Sequence, residues 1–221
     1  MVDVNPEARE VIEDLKLILQ YNLSKIRARI KIENNKIVEL NLANCGLTKL
    51  PKSIGRLQVL EKLVLGRNKL EILPKFLGKM VNLKELDLSD NRLLWVPDSL
   101  GRLINLKKLD LSGNQLERLP ASLGHLRDLE ELVLSGNHLE ELPASFRKLK
   151  ALKKVNLAEN KHLTLPAFLE QLPALEKLTW NDPVFTSQDE ELQFENLRKK
   201  GVEIELIWDR DYVGDIMASL P

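Results

Sequence analysis

The sequence predicts an α/β solenoid, in which short units of a strand and a turn stack along one axis between helical caps. The first observation is an internal repeat, because apolar residues recur every 23 positions at Ile37, Leu60, Leu83, Leu106, Leu129, Leu152 and Leu175. The second is a strand pattern near the start of each unit, and the third is an asparagine at a fixed place after it. A unit this small cannot bury its own leucines, so neighbouring units must stack to form a shared core.

Each repeat begins with a short strand. Numbering the frame from its first leucine, Leu109 and Leu111 of the fourth repeat alternate with polar residues, which predicts that they point inward. Because the repeats are identical in length, successive strands are predicted to pair in parallel and form a concave sheet. The apolar residues that follow the turn carry the core around the outer side, and Pro120 lies where no ladder N–H is needed.

The repeat has a recognisable consensus, L-x-x-L-x-L-x-x-N-x-L-x-x-L-P-x-x-L-G-x-L, most complete from Leu106 to Asp128. It resembles the leucine-rich repeat family, and its second half is similar to the intracellular Ras-group subclass that includes Ras suppressor protein and Scribble-type scaffolds. The resemblance implies a horseshoe of seven repeats over residues 37–182, the seventh incomplete, between an N-terminal cap (1–36) and a C-terminal cap and tail (183–221). It also implies a scaffold in intracellular signalling, with small GTPases or other signalling proteins as partners.

The ninth frame position holds the turn residue. In this family its side-chain amide bonds backbone groups of adjacent turns, which would otherwise be buried without partners. The resemblance therefore implies a structural ladder of Cys45, Asn68, Asn91, Asn114, Asn137 and Asn160.

Both ends of the solenoid need a cover. Asn5 before Pro6 predicts an N-cap and first turn of a helix whose apolar stripe is Ala8, Ile12, Leu15, Leu19 and Leu23. From Ile26 onward the apolar period changes to two, and Asn34-Asn35 predicts a tight turn, so we expect an antiparallel hairpin beginning at Ile26.

The C-terminal end predicts a helix followed by a closing strand. Ser187 to Glu190 reads as a capping box, Gly201 as the helix end, and Val202, Ile204, Leu206 and Trp208 as the strand. The tail 209–221 has no pattern that predicts a structure.

Composition restricts the class of partner. Lys plus Arg and Asp plus Glu are equal at 33 each, so no overall field attracts the chain to nucleic acid or anionic lipid. The single cysteine and an N-terminus without a signal pattern favour a reducing cytoplasm, and no apolar run reaches membrane-spanning length. We expect a monomeric, cytoplasmic, protein-binding chain without membrane insertion.

No motif predicts catalysis. His125, His138 and His162 lie in three different repeats without metal-ligand spacing, and phosphate-binding and nucleophile motifs are absent from the sequence. We therefore expect no metal, no cofactor and no enzyme. Two alternatives stay open: a microbial effector or adaptor that binds host proteins, and an enzyme whose site lies in the capping segments.

Two surfaces are candidates for binding a partner. Frame positions twelve and thirteen bring together the apolar residues Leu94, Ile72 and Trp95. The basic residues around them are Lys49, Lys69, Arg92 and Arg118. A tryptophan with a basic rim is typical of a protein-binding hot spot. An equal alternative is that Trp95 packs over Ile72 or is covered by the N-terminal cap. On the strand face, Asp87 and Asp110 form an acidic spot that suits an Arg or Lys of a partner, or are simply solvated.

Overall fold

The computed structural model describes residues 4–20, 26–181 and 188–207 of the 221-residue chain. Within these ranges nine strands form one sheet whose spatial order is the chain order, and every neighbouring pair after the first is parallel. The strands are β1 (Ile30–Glu33), β2 (Lys36–Asn41), β3 (Lys62–Val64), β4 (Glu85–Asp87), β5 (Lys108–Asp110), β6 (Glu131–Val133), β7 (Lys154–Asn156), β8 (Lys177–Asn181) and β9 (Glu203–Ile207). The predicted α/β solenoid is confirmed.

The strand register follows the sequence repeat. From β2 to β8 each residue pairs with the residue 23 positions later, so that Leu63 faces Leu86 and Leu86 faces Leu109. All three leucines are buried, and the residues on either side of them are exposed or half-buried. The apolar core therefore runs as one continuous stack behind the sheet, from the N-terminal helix to Val202.

Short 3-10 helices cover the outer side of the core. Each is five residues long and follows a proline: η1 (Lys52–Arg56), η2 (Lys75–Lys79), η3 (Asp98–Arg102), η4 (Ala121–His125), η5 (Ala144–Lys148) and η6 (Ala167–Gln171). Neighbouring helices come very close where the frame has glycine. A Cβ on Gly101 would lie 2.2 Å from the carbonyl oxygen of Ser122, and one on Gly78 would lie 2.1 Å from that of Ser99.

The N-terminal cap begins with helix α1 (Pro6–Leu19). Asn5 is its N-cap, and the Asn5 side chain accepts a hydrogen bond from the Ala8 backbone N–H at 3.0 Å. Its buried face, Ala8, Val11, Ile12 and Leu15, closes the core beside the first repeat, as predicted. Leu23, which we placed on the same stripe, lies outside the described residues.

The predicted hairpin is present, but it begins later than expected. Strand β1 pairs antiparallel with β2 from Ile30 onward, and Asn34 and Asn35 form the turn with φ of 48° and 62°. Expecting the strand to begin at Ile26 was wrong. Ile26 is buried in a helical turn closed by the hydrogen bond from Arg29 N to Ile26 O at 2.9 Å, because the chain must change direction before the hairpin.

The C-terminal cap consists of helix α2 (Gln188–Lys199) and strand β9, which extends the sheet beside β8. The chain leaves the helix through Gly201, which is in the left-handed region with φ of +87°. Across this residue Val202 N donates to the Leu197 carbonyl at 3.0 Å. Ser187 of the expected capping box, Trp208 and the tail 209–221 lie outside the described residues.

Candidate functional site

A column of buried asparagines ties each repeat to the one before it. Asn91 Nδ2 donates to the carbonyl oxygens of Leu65 in the preceding repeat and Leu88 in its own, at 3.0 and 3.1 Å. Its Oδ1 accepts from Leu70 N at 3.0 Å. The same bonds to the preceding repeat are made by Asn68, Asn114, Asn137 and Asn160. These side chains satisfy backbone groups that water does not reach, so their role is structural.

Cys45 occupies the first place in this column, with a sulfur in place of the amide. Its sulfur lies 3.5 Å from the Ala43 carbonyl oxygen, which it contacts as a weak donor. The Cys45 backbone N–H donates to Asn68 Oδ1 at 3.0 Å, so a side chain of the second repeat provides the acceptor for this backbone group of the first turn. The thiol is half-buried, and its position belongs to the turn ladder.

Charged residues on the exposed face of the sheet form ion pairs between neighbouring strands. In the third frame position most neighbours have opposite signs, giving Lys62–Glu85 at 2.6 Å and Lys108–Glu131 at 3.3 Å, and Lys177 pairs with Glu203 of the C-terminal cap at 3.0 Å. The second frame position gives Lys84–Glu61 at 2.8 Å and Lys153–Glu130 at 2.6 Å. Such exposed pairs each add little to stability, but they leave these columns close to neutral.

The pKa shifts on this face have the same origin. The Glu39 and Glu33 carboxylates, each 3.0 Å from Lys31 Nζ, raise the pKa of Lys31 to about 12. Likewise, the hydrogen bond from Lys153 lowers the pKa of Glu130. Both groups keep their charge at neutral pH, and the opposite charge beside them leaves little attraction for a distant ligand.

Asp87 and Asp110 lie side by side on the neighbouring strands β4 and β5, in a groove of about 210 Å³ on the sheet. Asp110 Oδ1 accepts hydrogen bonds from Ser112 N at 2.9 Å and Ser112 Oγ at 2.6 Å, and Asp87 is bonded to Ser89 in the same way. Burial raises the pKa of Asp110, with Asp87 contributing, while the bonds from Ser112 oppose the rise. The two aspartates thus shape the turn after their strands, and cation binding here stays a prediction.

The apolar patch, defined as Ile72, Leu94 and Trp95, is exposed. Ile72 shows 60% of its surface, Leu94 57% and Trp95 47%, whereas the core leucines on both sides of each are almost fully covered. Trp95 therefore remains accessible and is not sealed by the N-terminal cap. Among the described residues eight large apolar side chains are exposed, and three of them lie at frame positions twelve and thirteen of two neighbouring repeats.

Trp95 also lines a groove on the outer side of the solenoid. The groove has a volume of about 470 Å³, and its other walls are Lys75, Pro97, Asp98, Ser99 and Arg102. Because Lys75 and Asp98 begin η2 and η3 and Arg102 ends η3, the short helices place their polar residues beside the indole. The groove thus offers a flat aromatic wall next to one anionic and two cationic side chains.

The basic rim around the apolar patch stays a prediction. Lys49, Lys69, Arg92 and Arg118 are all exposed, but none of them lines the groove beside Trp95. The sequence prediction missed Lys75, Asp98 and Arg102. The available signal was the frame itself, since positions sixteen and twenty begin and end the short helix beside position thirteen.

The three histidines lie in different repeats of the described part of the chain. His125, His138 and His162 are exposed, and Leu163 is buried next to His162, where other repeats bury a leucine one residue earlier. The described residues contain no group of three or more His, Cys, Asp or Glu side chains placed to hold a metal ion. In the same ranges no helix has the length and apolarity needed to cross a membrane.

Comparison with known proteins agrees with this geometry. A family model described as a leucine-rich repeat region matches residues 96–220, more than half of the chain, and a second, described as leucine rich repeat, matches residues 35–93. The chain belongs to the leucine-rich repeat family. No curated protein matches this leucine-rich repeat chain.

Solved structures of other leucine-rich repeat proteins are similar over most of the chain. A leucine-rich repeat protein of Leptospira interrogans is 32% identical, with a TM-score of 0.62 over 79% of this chain, which spans 50% of that protein. The ectodomain of the receptor kinase SOBIR1 from Arabidopsis thaliana shares the fold at 24% identity, with a TM-score of 0.63. The match covers 74% of this chain and 98% of that ectodomain. The plant peptide hormone receptor RGFR1, solved in complex with RGF2, is 27% identical, with a TM-score of 0.54. The match covers 73% of this chain and 26% of that receptor.

Proposed function

We propose that this leucine-rich repeat chain is a non-enzymatic protein-binding module whose partner docks on the apolar patch and the groove beside Trp95. The observation that carries the proposal is the exposure of Ile72, Leu94 and Trp95 in one place. Buried tryptophans at protein interfaces contribute about 2 kcal/mol or more, because their large surface is removed from water.

The repeat itself does not require these side chains to be apolar. At the same frame positions other repeats carry Lys49, Glu117, Arg118, Glu140 and Glu141, all of them exposed. The core residues beside the patch, Leu93 and Val96, are already buried. An apolar side chain that neither the fold nor the core needs is the type of residue that a partner covers.

The groove indicates which side chain of the partner fits best. An apolar or aromatic group can lie against the indole of Trp95, while Lys75 and Arg102, which outnumber Asp98 in the lining, favour a carboxylate next to it. We therefore expect a partner segment that presents an apolar side chain beside an acidic one. Its binding should weaken as salt rises, since the contact with Lys75 and Arg102 is exposed.

The cellular setting is also part of the proposal. The Ras-group form of the second half of the repeat favours an intracellular signalling scaffold with small GTPases or their effectors as partners, and the single cysteine favours the cytoplasm. The complex of RGFR1 with RGF2 supports polypeptide recognition by this fold. The SOBIR1 ectodomain shows that the same fold also serves in receptors, so the compartment needs its own test by fluorescent tagging in cells.

The experiment compares partners captured by the wild-type chain and by Trp95→Ala with quantitative mass spectrometry. The leading partner is then purified, and its Kd for both chains is measured. We expect Trp95→Ala to weaken binding at least about tenfold, or ~1.4 kcal/mol, with an unchanged circular dichroism spectrum.

Leu192→Ala is the matched control, because Leu192 is an equally exposed apolar residue on α2, away from the patch. Lys154→Ala controls for the charged sheet face. Equal binding by all variants would contradict the proposal, as would a large fall in the melting temperature of Trp95→Ala with normal binding by the refolded chain.

The enzyme alternative makes a different prediction. A site in the capping segments would give turnover in a hydrolase and transferase screen that is insensitive to Trp95→Ala. In the described parts of the two caps, charged side chains such as Glu10 and Glu195 are engaged in exposed ion pairs with Arg56 and Lys199. That arrangement suits surface stabilisation better than acid-base catalysis.

A further inference from the structure

Five repeats return from their 3-10 helix to the next strand through a tight turn with the same backbone torsions; the sixth differs, with ψ of 115° at Leu172. In four of the five the backbone N–H of frame position twenty-two donates to the carbonyl of position twenty, as in Ile104 N to Arg102 O at 2.9 Å and Arg127 N to His125 O at 2.8 Å. The residue between them has φ near −75° and ψ near +65°, for example −78° and 61° at Leu103. These are the hydrogen bond and torsions of an inverse γ-turn.

The turn holds two side chains of each of these five repeats in solvent. The central residues are buried: Leu57, Met80, Leu103, Leu126 and Leu149. The flanking residues are exposed, so position twenty contributes Arg56, Lys79, Arg102, His125 and Lys148. Position twenty-two contributes Gln58, Val81, Ile104, Arg127 and Lys150. We call these ten residues the turn strip.

The turn strip has one sign of charge in a chain whose net charge is zero. It contains six permanent cations and no Asp or Glu. Acidic side chains do lie beside the strip: Glu10 is paired with Arg56, Asp98 lines the same groove as Arg102, and Glu130, three residues after Arg127, is paired with Lys107 and Lys153. The strip positions themselves differ from the sheet face, where Lys62 is bonded to Glu85 of the neighbouring strand.

Helix ends explain only part of this pattern. A cation at position twenty lies at the C-terminal end of a short helix, where partial negative charge favours it. That attraction does not account for Arg127 and Lys150 beyond the helix end. It also does not account for Val81 and Ile104, which lie exposed in adjacent repeats in the middle of the cations, Ile104 with 56% of its surface accessible.

The turn strip is held rigidly before any ligand arrives. Asn82 Nδ2 donates to the Gln58 carbonyl at 2.6 Å, and Asn105 Nδ2 donates to the Val81 carbonyl at 2.8 Å, which links the turns of successive repeats. With strands about 4.8 Å apart, five repeats extend over roughly 20 Å. An extended peptide covers that distance with about six residues, at ~3.3 Å each.

We infer that the turn strip is a second interaction surface, and that it binds an extended acidic protein segment carrying an apolar side chain at its centre. Carboxylates would pair with the flanking cations, and the apolar group would cover Val81 and Ile104. The phosphate backbone of a nucleic acid has no apolar group for these two residues, and the strip has no aromatic side chain of Phe, Tyr or Trp type on which a base could stack. Two aliphatic side chains are also too small an apolar face for stable insertion into a bilayer.

The test uses a fluorescein-labelled hexapeptide of glutamates around one central leucine, and fluorescence anisotropy at low salt. The strip variant is the triple substitution Lys79→Gln, Arg127→Gln and Lys150→Gln. The matched control removes the same charge from strands β3, β5 and β7 of the sheet face, as Lys62→Gln, Lys108→Gln and Lys154→Gln. We expect the strip variant to bind at least about tenfold more weakly and the control less than about twofold, because only the first removes cations that face the peptide.

Single substitutions and competing polyanions distinguish the turn strip from bulk charge and from the apolar patch. Ile104→Ser should weaken binding of the leucine peptide but leave binding of an all-glutamate peptide unaffected, and Trp95→Ala should leave both unchanged. Arg102 lines the groove beside Trp95 as well as the turn strip, so it is kept in every variant and the test stays distinct from that of the proposed function. Equal losses in the two triple variants would reduce the effect to bulk charge and overturn the inference. Tighter binding of oligothymidylate or of phosphatidylserine vesicles than of the peptide would also overturn it, in favour of a different polyanion.

Discussion

Asn114 reaches back across the solenoid: its Nδ2 donates to the Leu88 carbonyl, 26 residues earlier in the preceding repeat, at 3.0 Å. The same nitrogen also contacts the carbonyls of Leu111 and Ser112 in its own repeat, and its Oδ1 accepts from Leu93 N. One side chain thus satisfies the turns of two repeats at once, which makes it a sensitive point of the fold.

We predict that Asn114→Ala lowers the free energy of unfolding by ~1–3 kcal/mol, because it leaves buried backbone groups without partners. Lys108→Ala, which removes an exposed ion pair with Glu131, should cost under about 0.5 kcal/mol. Urea melts of both variants measure the difference. Equal midpoints would contradict the structural role of the asparagine ladder.

The N-terminal helix should act as a cover for the solenoid end. Leu15 and Leu17 are two residues apart on α1, but Leu15 is 1% exposed and Leu17 is 81% exposed. We predict that Leu15→Asp lowers the melting temperature sharply and causes aggregation, because a charge cannot be buried against the first repeat. Leu17→Asp should melt and scatter light like the wild type, and similar behaviour of the two variants would show that α1 is not a packed cap.

Asp110 should destabilise the fold when it ionises. Burial raises its pKa in the folded chain above the unfolded value, so the folded chain binds this proton more readily. The free energy of unfolding therefore falls as the pH rises from the unfolded pKa to the folded pKa, and the loss is complete above the latter.

We accordingly predict that Asp110→Asn is more stable than the wild type at neutral pH and that the difference shrinks as acid protonates Asp110. The amide can keep the turn, since Asn41 and Asn156 accept the same backbone hydrogen bond in their repeats. Thermal melts across the acidic range measure this, with Asp128→Asn as the exposed control. A difference that stayed constant with pH would exclude ionisation of Asp110 as its cause.

Two glycines at the same frame position should respond differently to a methyl group. A Cβ on Gly101 meets the backbone of Ser122, which cannot move aside, whereas a Cβ on Gly55 meets the side chain of Phe76 at 2.8 Å. We predict that Gly101→Ala costs ~1–3 kcal/mol by overpacking and that Gly55→Ala costs less, because the phenyl ring can turn. Denaturant unfolding of the two variants compares them, and an equal loss would mean that the helix backbones can separate.

Much of the fold could be predicted from the sequence because every repeat obeys the same physics. Once Leu109 and Leu111 are assigned to the core, every equivalent residue has the same assignment, and the strand register follows from the 23-residue spacing. The beginning of the hairpin could not be predicted in this way. Ile26 fits a strand by its alternation with Arg27, but the need to turn the chain after α1 placed it in a helical turn.

The candidate site was predictable only in part, for a related reason. The frame predicts which columns are exposed, and so it identified Ile72, Leu94 and Trp95. It does not predict how side chains from different columns converge in space, and this is why Lys75 and Arg102 beside Trp95 were missed. Likewise, the turn strip is defined by the backbone torsions of residues such as Leu103 and Leu126. A leucine in the sequence does not predict those torsions.

The glycines between the outer helices have a mechanical consequence. A solenoid bends where its outer side advances in longer steps than its sheet, and Gly78, Gly101 and Gly124 allow η2 to η5 to approach to backbone contact. At the two ends of this series Phe76 and Phe168 replace serine in the contact and act as spacers. We therefore expect the outer side of the solenoid to be shortest and least deformable along the central repeats, and to bend more easily towards the two ends.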